Sequence, residues 1–381
     1  MPVTSPWRAF AESGDPASVY RAAKGLNAAP DDLLLVCVAA GGSPDLDAIA
    51  SALCDLPNPL IGGLFPEVLV GRTRHAEGVL VVRLGGLGEP VIVMDFEDTS
   101  VALQGLTAVR PTSCPERSTA VVLVDGLAPD ISRLLGATYN EFGSRVRYWG
   151  GGAGSLALDD RPVLFTRAGA FRGGAIIALT SFEARLGVHH GWSHYRGPLV
   201  ATRTRGNRVE QLNWKNAAEV YGAAIRNDVG DGTPFEIGDF TFAYPLGIQR
   251  QDDEFIVRDP IGVDSDGALL CVGDVPENTV LSILQGAPEA LIAAARSAAQ
   301  EAARPAETPP RLCLIADCVS RVRYLGDAFG QELDAIADGL GDVMEGVEPV
   351  GVLTLGEISS RGDGYLELFN KTCVVAVLRE R

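Results

Sequence analysis

The apolar residues of this chain fall in two rhythms. Unbroken runs such as "LLLVCV" (33–38), "AVVLVDG" (120–126), "LCLIAD" (312–317) and "CVVAVL" (373–378) read as strands covered on both faces of a sheet. Between such runs the apolar positions recur at helical spacing, as in Leu46, Ile49, Leu53 and Leu56, and again in Phe329, Leu333, Ile336 and Leu340. Ser43 is the expected N-cap of the first of these helices, with Pro44 at its first helical position.

The order of these elements repeats. "LLLVCV", a helix, "LIGGLFPEV" with Glu67 and "GVLVVRL" (78–84) make one strand–helix–strand–strand unit. "LCLIAD", a helix, "VGVLTLGEI" with Glu357 and "CVVAVL" make another, and both helices contain Leu-Asp-Ala-Ile-Ala, at 46–50 and 333–337. A further copy runs through "AVVLVDG", the helix "PDISRLLGATYNEF" (129–142), "VRYWGGGAG" and "GAIIAL". A fourth, rearranged copy is placed between Phe240 and Arg304, with "PEALIAAARSAAQEAAR" as its helix. The repeat is longer than the roughly 20–50 residues of common solenoids, which points to packed domains. The fold class expected is α/β: two α/β domains built from strand–helix–strand–strand pseudo-repeats with mixed sheets. Residues 1–30 read as an N-terminal extension, 31–205 as the first domain and 206–381 as the second.

Composition narrows the partners. A net charge of −17 disfavours nucleic acid and anionic membrane surfaces, and basic stretches such as Arg203 to Arg208 are short. No apolar run reaches the ~20 residues of a membrane-spanning helix. The N-terminal stretch lacks the charged-then-apolar pattern of a signal peptide, so a cytoplasmic protein is expected. Cysteines at 37, 54, 114, 271, 313, 318 and 373 include no Cys-x-x-Cys pair, the usage of reduced thiols rather than a disulfide framework.

Few motifs carry chemistry. Gly152-Ala-Gly154-Ser-Leu-Ala157 matches a loose dinucleotide fingerprint, but "LDDRPVLFTRAG" follows with Pro162 and a strand pattern, so a glycine-rich turn is expected. Neither a P-loop nor a G-x-S-x-G elbow is present. Cys318 stands three residues before Arg321, so a thiolate beside a guanidinium is one reading and a pocket-lining strand end the other. "GEISSRGDGYLELFNKT" gathers Glu357, Asp363, Glu367, Asn370 and Thr372 around strand ends, where open α/β sheets bind ligands. "GVHHGWSHYRGP" (187–198) holds three histidines. His190 and His194 are four apart, without the glutamate of H-E-x-x-H or a neighbouring cysteine or carboxylate. A surface or hinge loop, a haem ligand walled by Trp192 and Tyr195, and another metal site are the three readings.

The segments "GPLVATRTRGNRVEQLNWKNAAEVYG", "YPLGI", "VRDPIGVDSDGALLCVGDVPENTVLSILQG", "LIADCVSRVRYLG" and "VGVLTLGEISSRGDGYLELFNKTCVVAVL" follow one another in an order that resembles the FIST family, a FIST N domain followed by a FIST C domain. The N-terminal half resembles it through "LIGGLFPEV", "GGGAGSLALDD" and "GVHHGW". The resemblance implies an intracellular sensory module for small ligands, amino acids among them, often fused to signalling output domains. It also implies that some members bind haem and respond to nitric oxide. Carried onto this chain, its motif elements fall on Cys318 and Arg321, on Gly356, Glu357 and Ile358, on Asn370 and Thr372, on Pro245 to Gly247, and on His190 to Trp192. The chain departs from the family in lacking the aromatic-rich stretch before Gly-Glu-Ile, where it carries Val352, Leu353 and Leu355. It also lacks the small polar residues usual before Glu67.

These residues lead to an expected sensor of a small polar ligand, held in a cleft and signalling through a separate partner protein. Glu357 would hold an ammonium group and Arg321 a ligand carboxylate, with Cys318, Gly356, Asn370 and Thr372 beside them. Glu67, Gly151, Gly152, Trp192 and Gly247 are secondary candidates. The alternatives are a haem-based gas or redox sensor using His190 or His194, and an enzyme with Cys318 as nucleophile.

Overall fold

A computed structural model describes residues 7–96, 118–157, 159–229, 242–250, 254–344, 346–361 and 364–380. Cys114, Phe240 and Asp363 lie outside them. The architecture is α/β with mixed sheets, built on the strand–helix–strand–strand repeat.

Three units share one plan. In the first, strand Leu33–Ala39 leads through helix Leu46–Leu53 to the parallel strand Leu60–Phe65, and Val79–Leu84 returns antiparallel beside Leu33–Ala39. Thr119–Asp125, helix Ile131–Phe142, Arg147–Ala153 and Ala175–Thr180 repeat this in the second unit. Pro310–Cys318, helices Val319–Leu325 and Phe329–Leu340, Val350–Thr354 and Cys373–Arg379 repeat it in the third. Each returning strand is flanked by an edge strand from just before its own unit: Arg8–Ala11, Val91–Val93 and Glu183–His189. These leading edge strands are short and stand apart in sequence from the strands they join, so no local pattern links them.

The units are locked together by exchanged hairpins. The first unit's hairpin, Val68–Val70 with Thr73–His75, pairs with Val350–Thr354 of the third. The second unit's hairpin, Leu164–Thr166 with Gly169–Phe171, pairs with Leu60–Phe65 of the first. The third unit's hairpin, Glu357–Ser360 with Leu366–Phe369, pairs with Arg147–Ala153 of the second. Each six-stranded sheet therefore borrows two strands from the next unit in a closed ring. The apolar runs supply the core: every residue of Leu33–Ala39, Thr119–Asp125 and Cys373–Arg379 is buried.

Between Glu183–His189 and Pro310–Cys318 the chain inserts a seven-stranded antiparallel sheet, from Ser193–Arg205 to Thr279–Gln285, followed by helix Pro288–Ala302. Among the described residues a fourth strand–helix–strand–strand copy is therefore not formed, since the pairs of this sheet are antiparallel. The helix packs on Phe329–Leu340 of the third unit instead.

One local expectation changes. Asp45, rather than Ser43, caps helix Leu46–Leu53, its Oδ1 accepting from the Ala48 amide at 3.0 Å. Gly150, Gly151 and Gly152 belong to strand Arg147–Ala153, and the chain turns after it, at Leu156 and Ala157. The glycines are required by close packing: a Cβ on Gly151 would lie 2.5 Å from Thr354 Cγ2, and one on Gly152 2.7 Å from the Leu355 carbonyl.

Candidate functional site

A two-chambered cleft opens where strands Thr119–Asp125, Pro310–Cys318 and Val350–Thr354 end, facing strands Phe255–Val263 and Leu269–Val272 of the inserted sheet. It lies at the carboxyl ends of parallel strands, where α/β sheets place their ligands. The inner chamber has a volume of about 160 Å³ and is lined by Asp259, Cys318, Ser320, Thr354, Gly356 and Asn370, among others. The outer one, about 400 Å³, shares Gly126, Leu127, Ile261 and Val272 with it.

The polar floor is organised around Asp259, which is 2% exposed. Its Oδ2 accepts from Ser320 Oγ at 2.8 Å and faces Lys371 Nζ at 3.1 Å. Its Oδ1 is buried and has no hydrogen-bond partner among the described residues. Lys371 is wholly buried in a left-handed conformation (φ 53°), its ammonium 5.3 Å from the rings of both Trp192 and Phe242. Its third contact is the Phe242 carbonyl, at 3.2 Å.

The other donors of the inner chamber are already committed. Asn370 Nδ2 donates to the carbonyls of Val272 at 3.0 Å and Val257 at 3.3 Å. Thr354 Oγ1 lies 2.6 Å from Glu357 Oε1 and 3.3 Å from the Asp317 carbonyl. Gly356 holds φ 107°, which lets the chain turn from sheet to sheet between Thr354 and Glu357. Among the described residues lining this chamber the cation is Arg323, at the rim, with its guanidinium carbon 4.1 Å from the Phe242 ring centroid.

Arg321, expected to meet a ligand carboxylate, is fully buried behind this wall. Its five N–H groups reach Glu332 Oε1 and Oε2 (2.8 and 2.6 Å) and the carbonyls of His190 (2.6 Å), Lys371 (3.0 Å) and Leu291 (2.9 Å). No donor remains for a ligand. Arg321 pins the Lys371 loop and the histidine loop to the third unit.

Glu357, expected to hold an ammonium group, is likewise buried. Its Oε2 accepts from the Thr372 amide at 3.1 Å, and burial pushes its carboxyl up to about 8, so it keeps its proton at neutral pH and offers no negative charge. Thr372 Oγ1 turns back to the Asn370 carbonyl at 2.8 Å, outside the chamber lining. Cys318 does line the chamber, 3% exposed, but burial and the neighbouring Glu357 push its thiol well up. A thiol kept protonated is a poor nucleophile, so the enzyme alternative loses its activated group.

The histidines stand apart from the cleft lining. His190 Nδ1 accepts from the Trp192 amide at 2.9 Å. Burial, with Arg361 and Arg321 nearby, pulls the ring down to about 3, so it is neutral at ordinary pH. His194 is exposed on strand Ser193–Arg205 opposite Leu284, and His189 pairs with Glu301 at 2.9 Å. No cluster of three or more metal-ligating side chains occurs among the described residues.

The secondary candidates divide. Trp192 is buried and donates from Nε1 to the Lys371 carbonyl at 3.2 Å, so it backs the floor. Gly151 pairs in register with Glu357, and the Gly152 amide donates to the Gly356 carbonyl at 2.8 Å. Glu67 pairs with Arg74 at 3.2 Å on an exchanged hairpin, and Gly247 packs beneath Leu284 and Phe255. Neither lines the cleft.

Asp259, Ser320, Arg323 and Lys371 were missed. The signal available was a charged pair, Arg258-Asp259, inside the otherwise strand-like "EFIVRDP", and a lysine directly before an apolar strand. Charges in such places need buried partners.

The chain is thus an α/β protein with a cleft at the ends of its parallel strands. Family models for the FIST N domain match residues 32–215 and for the FIST C domain residues 217–360; the chain belongs to the FIST family. FIST domains are associated with signal transduction and small-ligand sensing. A search of curated proteins returns no match. Among solved structures, phosphoribosylformylglycinamidine synthase II from Thermotoga maritima is similar at 13% identity over 98% of this chain and 71% of that one, with a TM-score of 0.18. A likeness so slight bears on neither fold nor activity. None of the described helices is long and apolar enough to cross a membrane.

Proposed function

We propose that this protein senses a small ligand through an amino group that donates to Asp259 in the inner chamber. The observation that carries this reading is the Oδ1 of Asp259, a buried carboxylate oxygen without a hydrogen-bond partner among the described residues, on a side chain that lines the cavity. An unmet buried acceptor is costly, so a donor supplied by a ligand is rewarded more than in water. The donors around it are turned to protein acceptors, which disfavours an anionic group in the same place. An amino acid meets the cleft as a zwitterion: its ammonium at Asp259, its carboxylate at Arg323 on the rim. Arg323 thus takes the role first assigned to Arg321.

The cleft is walled by the second unit, the third unit and the inserted sheet. A ligand touching all three biases their arrangement if it prefers one of them, and a separate partner protein reads that arrangement.

The test is a thermal-shift screen of the intact protein against each common L-amino acid at millimolar concentration, followed by calorimetric titration. The expected result is a shift for at least one of them, with affinity lost roughly 10- to 100-fold in Asp259→Asn, consistent with a charged hydrogen bond. No shift with any amino acid, or an undiminished affinity in a folded Asp259→Asn protein, would overturn the reading.

A further inference from the structure

Above the polar floor the inner chamber is apolar. Leu127, Leu156 and Ile261 all line it, and they are 46%, 53% and 50% exposed. Exposed large apolar side chains are few among the described residues, and these three converge on one opening. They come from separate elements: the loop after Thr119–Asp125, the loop after Arg147–Ala153, and strand Phe255–Val263. No single strand or helix pattern explains their meeting. Val272 and Leu355 complete the collar, and Ile131 and Leu368 extend it into the outer chamber.

An isolated exposed leucine needs no account, but a set rimming a cavity marks a binding groove. Left open, it keeps apolar surface in water; a ligand that covers it gains about 25 cal/mol for each Å² removed. A small hydrophilic ligand such as glycine or serine would reach Asp259 and leave the collar wet.

We infer that the collar selects ligands whose amino group is carried on an apolar body, with Leu127, Leu156 and Ile261 as the specificity-determining residues. The inference rests on the proposed role of Asp259 and adds the class of ligand to it. Two sources share this chemistry: an α-amino acid with an aliphatic or aromatic side chain, and the amine that remains when such an amino acid loses its carboxylate. Arg323 separates them, since only the former has a group for it.

The experiment is calorimetric titration of the full chain with L-leucine, L-phenylalanine, 3-methylbutylamine, 2-phenylethylamine, glycine and L-serine. At least one apolar ligand is expected to bind ten-fold or more tighter than glycine and serine, the order of discrimination an apolar pocket gives for a small change in hydrocarbon. Ile261→Ser and Leu156→Ser, both at half-exposed positions that the fold tolerates, are expected to shrink that preference several-fold. If the amino acids bind and Arg323→Gln weakens them, the zwitterion is the occupant; if the amines bind equally well, the carboxylate is dispensable. Either result upholds the collar. Equal binding of all six, abolished by Asp259→Asn, would overturn the collar and spare the role of Asp259. No binding by any of the six would overturn the collar, and the role of Asp259 would fall with it if the full amino-acid screen is also empty.

Discussion

Asp259 Oδ2 lies 3.1 Å from Lys371 Nζ, and the two side chains, 112 residues apart in the chain, are 3% and 0% exposed. A charge pair this deeply buried contributes little net stability when intact, yet removing one partner strands the other. Lys371→Met should therefore destabilise the protein by about 3–5 kcal/mol. Urea unfolding followed by circular dichroism measures it. A loss under 1 kcal/mol would mean that the pair is solvated in solution.

Arg321 supports the fold without recognising the ligand. Arg321→Met leaves Glu332 as an unpaired buried carboxylate, and a similar loss of about 3–5 kcal/mol is expected. At a temperature where the variant remains folded, its affinity for an amino-acid ligand should stay within a few-fold of the parent. A selective loss of affinity with stability intact would return Arg321 to the binding role.

Glu357 gives stability a pH dependence. Its folded carboxyl titrates at about 8, above the ordinary value of 4.5, so between these pH values the folded protein holds a proton that the unfolded chain has lost. Stability then falls as pH rises through this window, by an amount on the order of a few kcal/mol. Glu357→Gln keeps a neutral, hydrogen-bonding side chain beside Thr354 and Thr372 and should flatten that slope, gaining on the parent at pH 8. Denaturation midpoints across pH 5 to pH 8, assayed for both proteins, decide it (roughly the window set by the two pKa values).

His190 should not act as a pH switch. With its ring pulled down to about 3 by burial, its proton NMR signals should remain constant where an ordinary histidine titrates. A titration near neutrality would show that the ring is solvated and its hydrogen bond to the Trp192 amide opens in solution.

The sequence carried the local architecture well and the long-range pairing poorly. Runs such as Leu33–Ala39 and Cys373–Arg379 are apolar because both faces are covered, and that is visible residue by residue. The exchange of hairpins is not, because Val68–Val70 bonds to Val350–Thr354 through partners nearly the whole chain away. Short strands of this kind leave no trace of which sheet edge they will join. Glycines show the same division: the reason for Gly151 and Gly152, the close approach of Thr354 and Leu355, lies in another unit.

The site was legible in place and wrong in part of its chemistry. Cys318, Gly356 and Asn370 do line the inner chamber, since they lie at strand ends that the repeat positions. Arg321 and Glu357 were chosen for charge, and charge is what their burial removes from a ligand's reach: one is neutralised by Glu332, the other keeps its proton. Asp259 belongs to the inserted sheet, whose pairing with the third unit's loops no local pattern announces.

The account turns on a hydrogen bond from a ligand ammonium to Asp259, and the most direct measurement leaves the protein unaltered. Calorimetric titration of the intact protein with a binding amino acid is compared with its N,N,N-trimethyl derivative, which keeps the positive charge and has no N–H to donate. The account predicts that the parent amino acid binds and the trimethyl derivative does not, since the inner chamber of about 160 Å³ offers an acceptor rather than an aromatic cage open to a bulky cation. Equal binding of the two would contradict it and place the ligand's amino group outside the chamber.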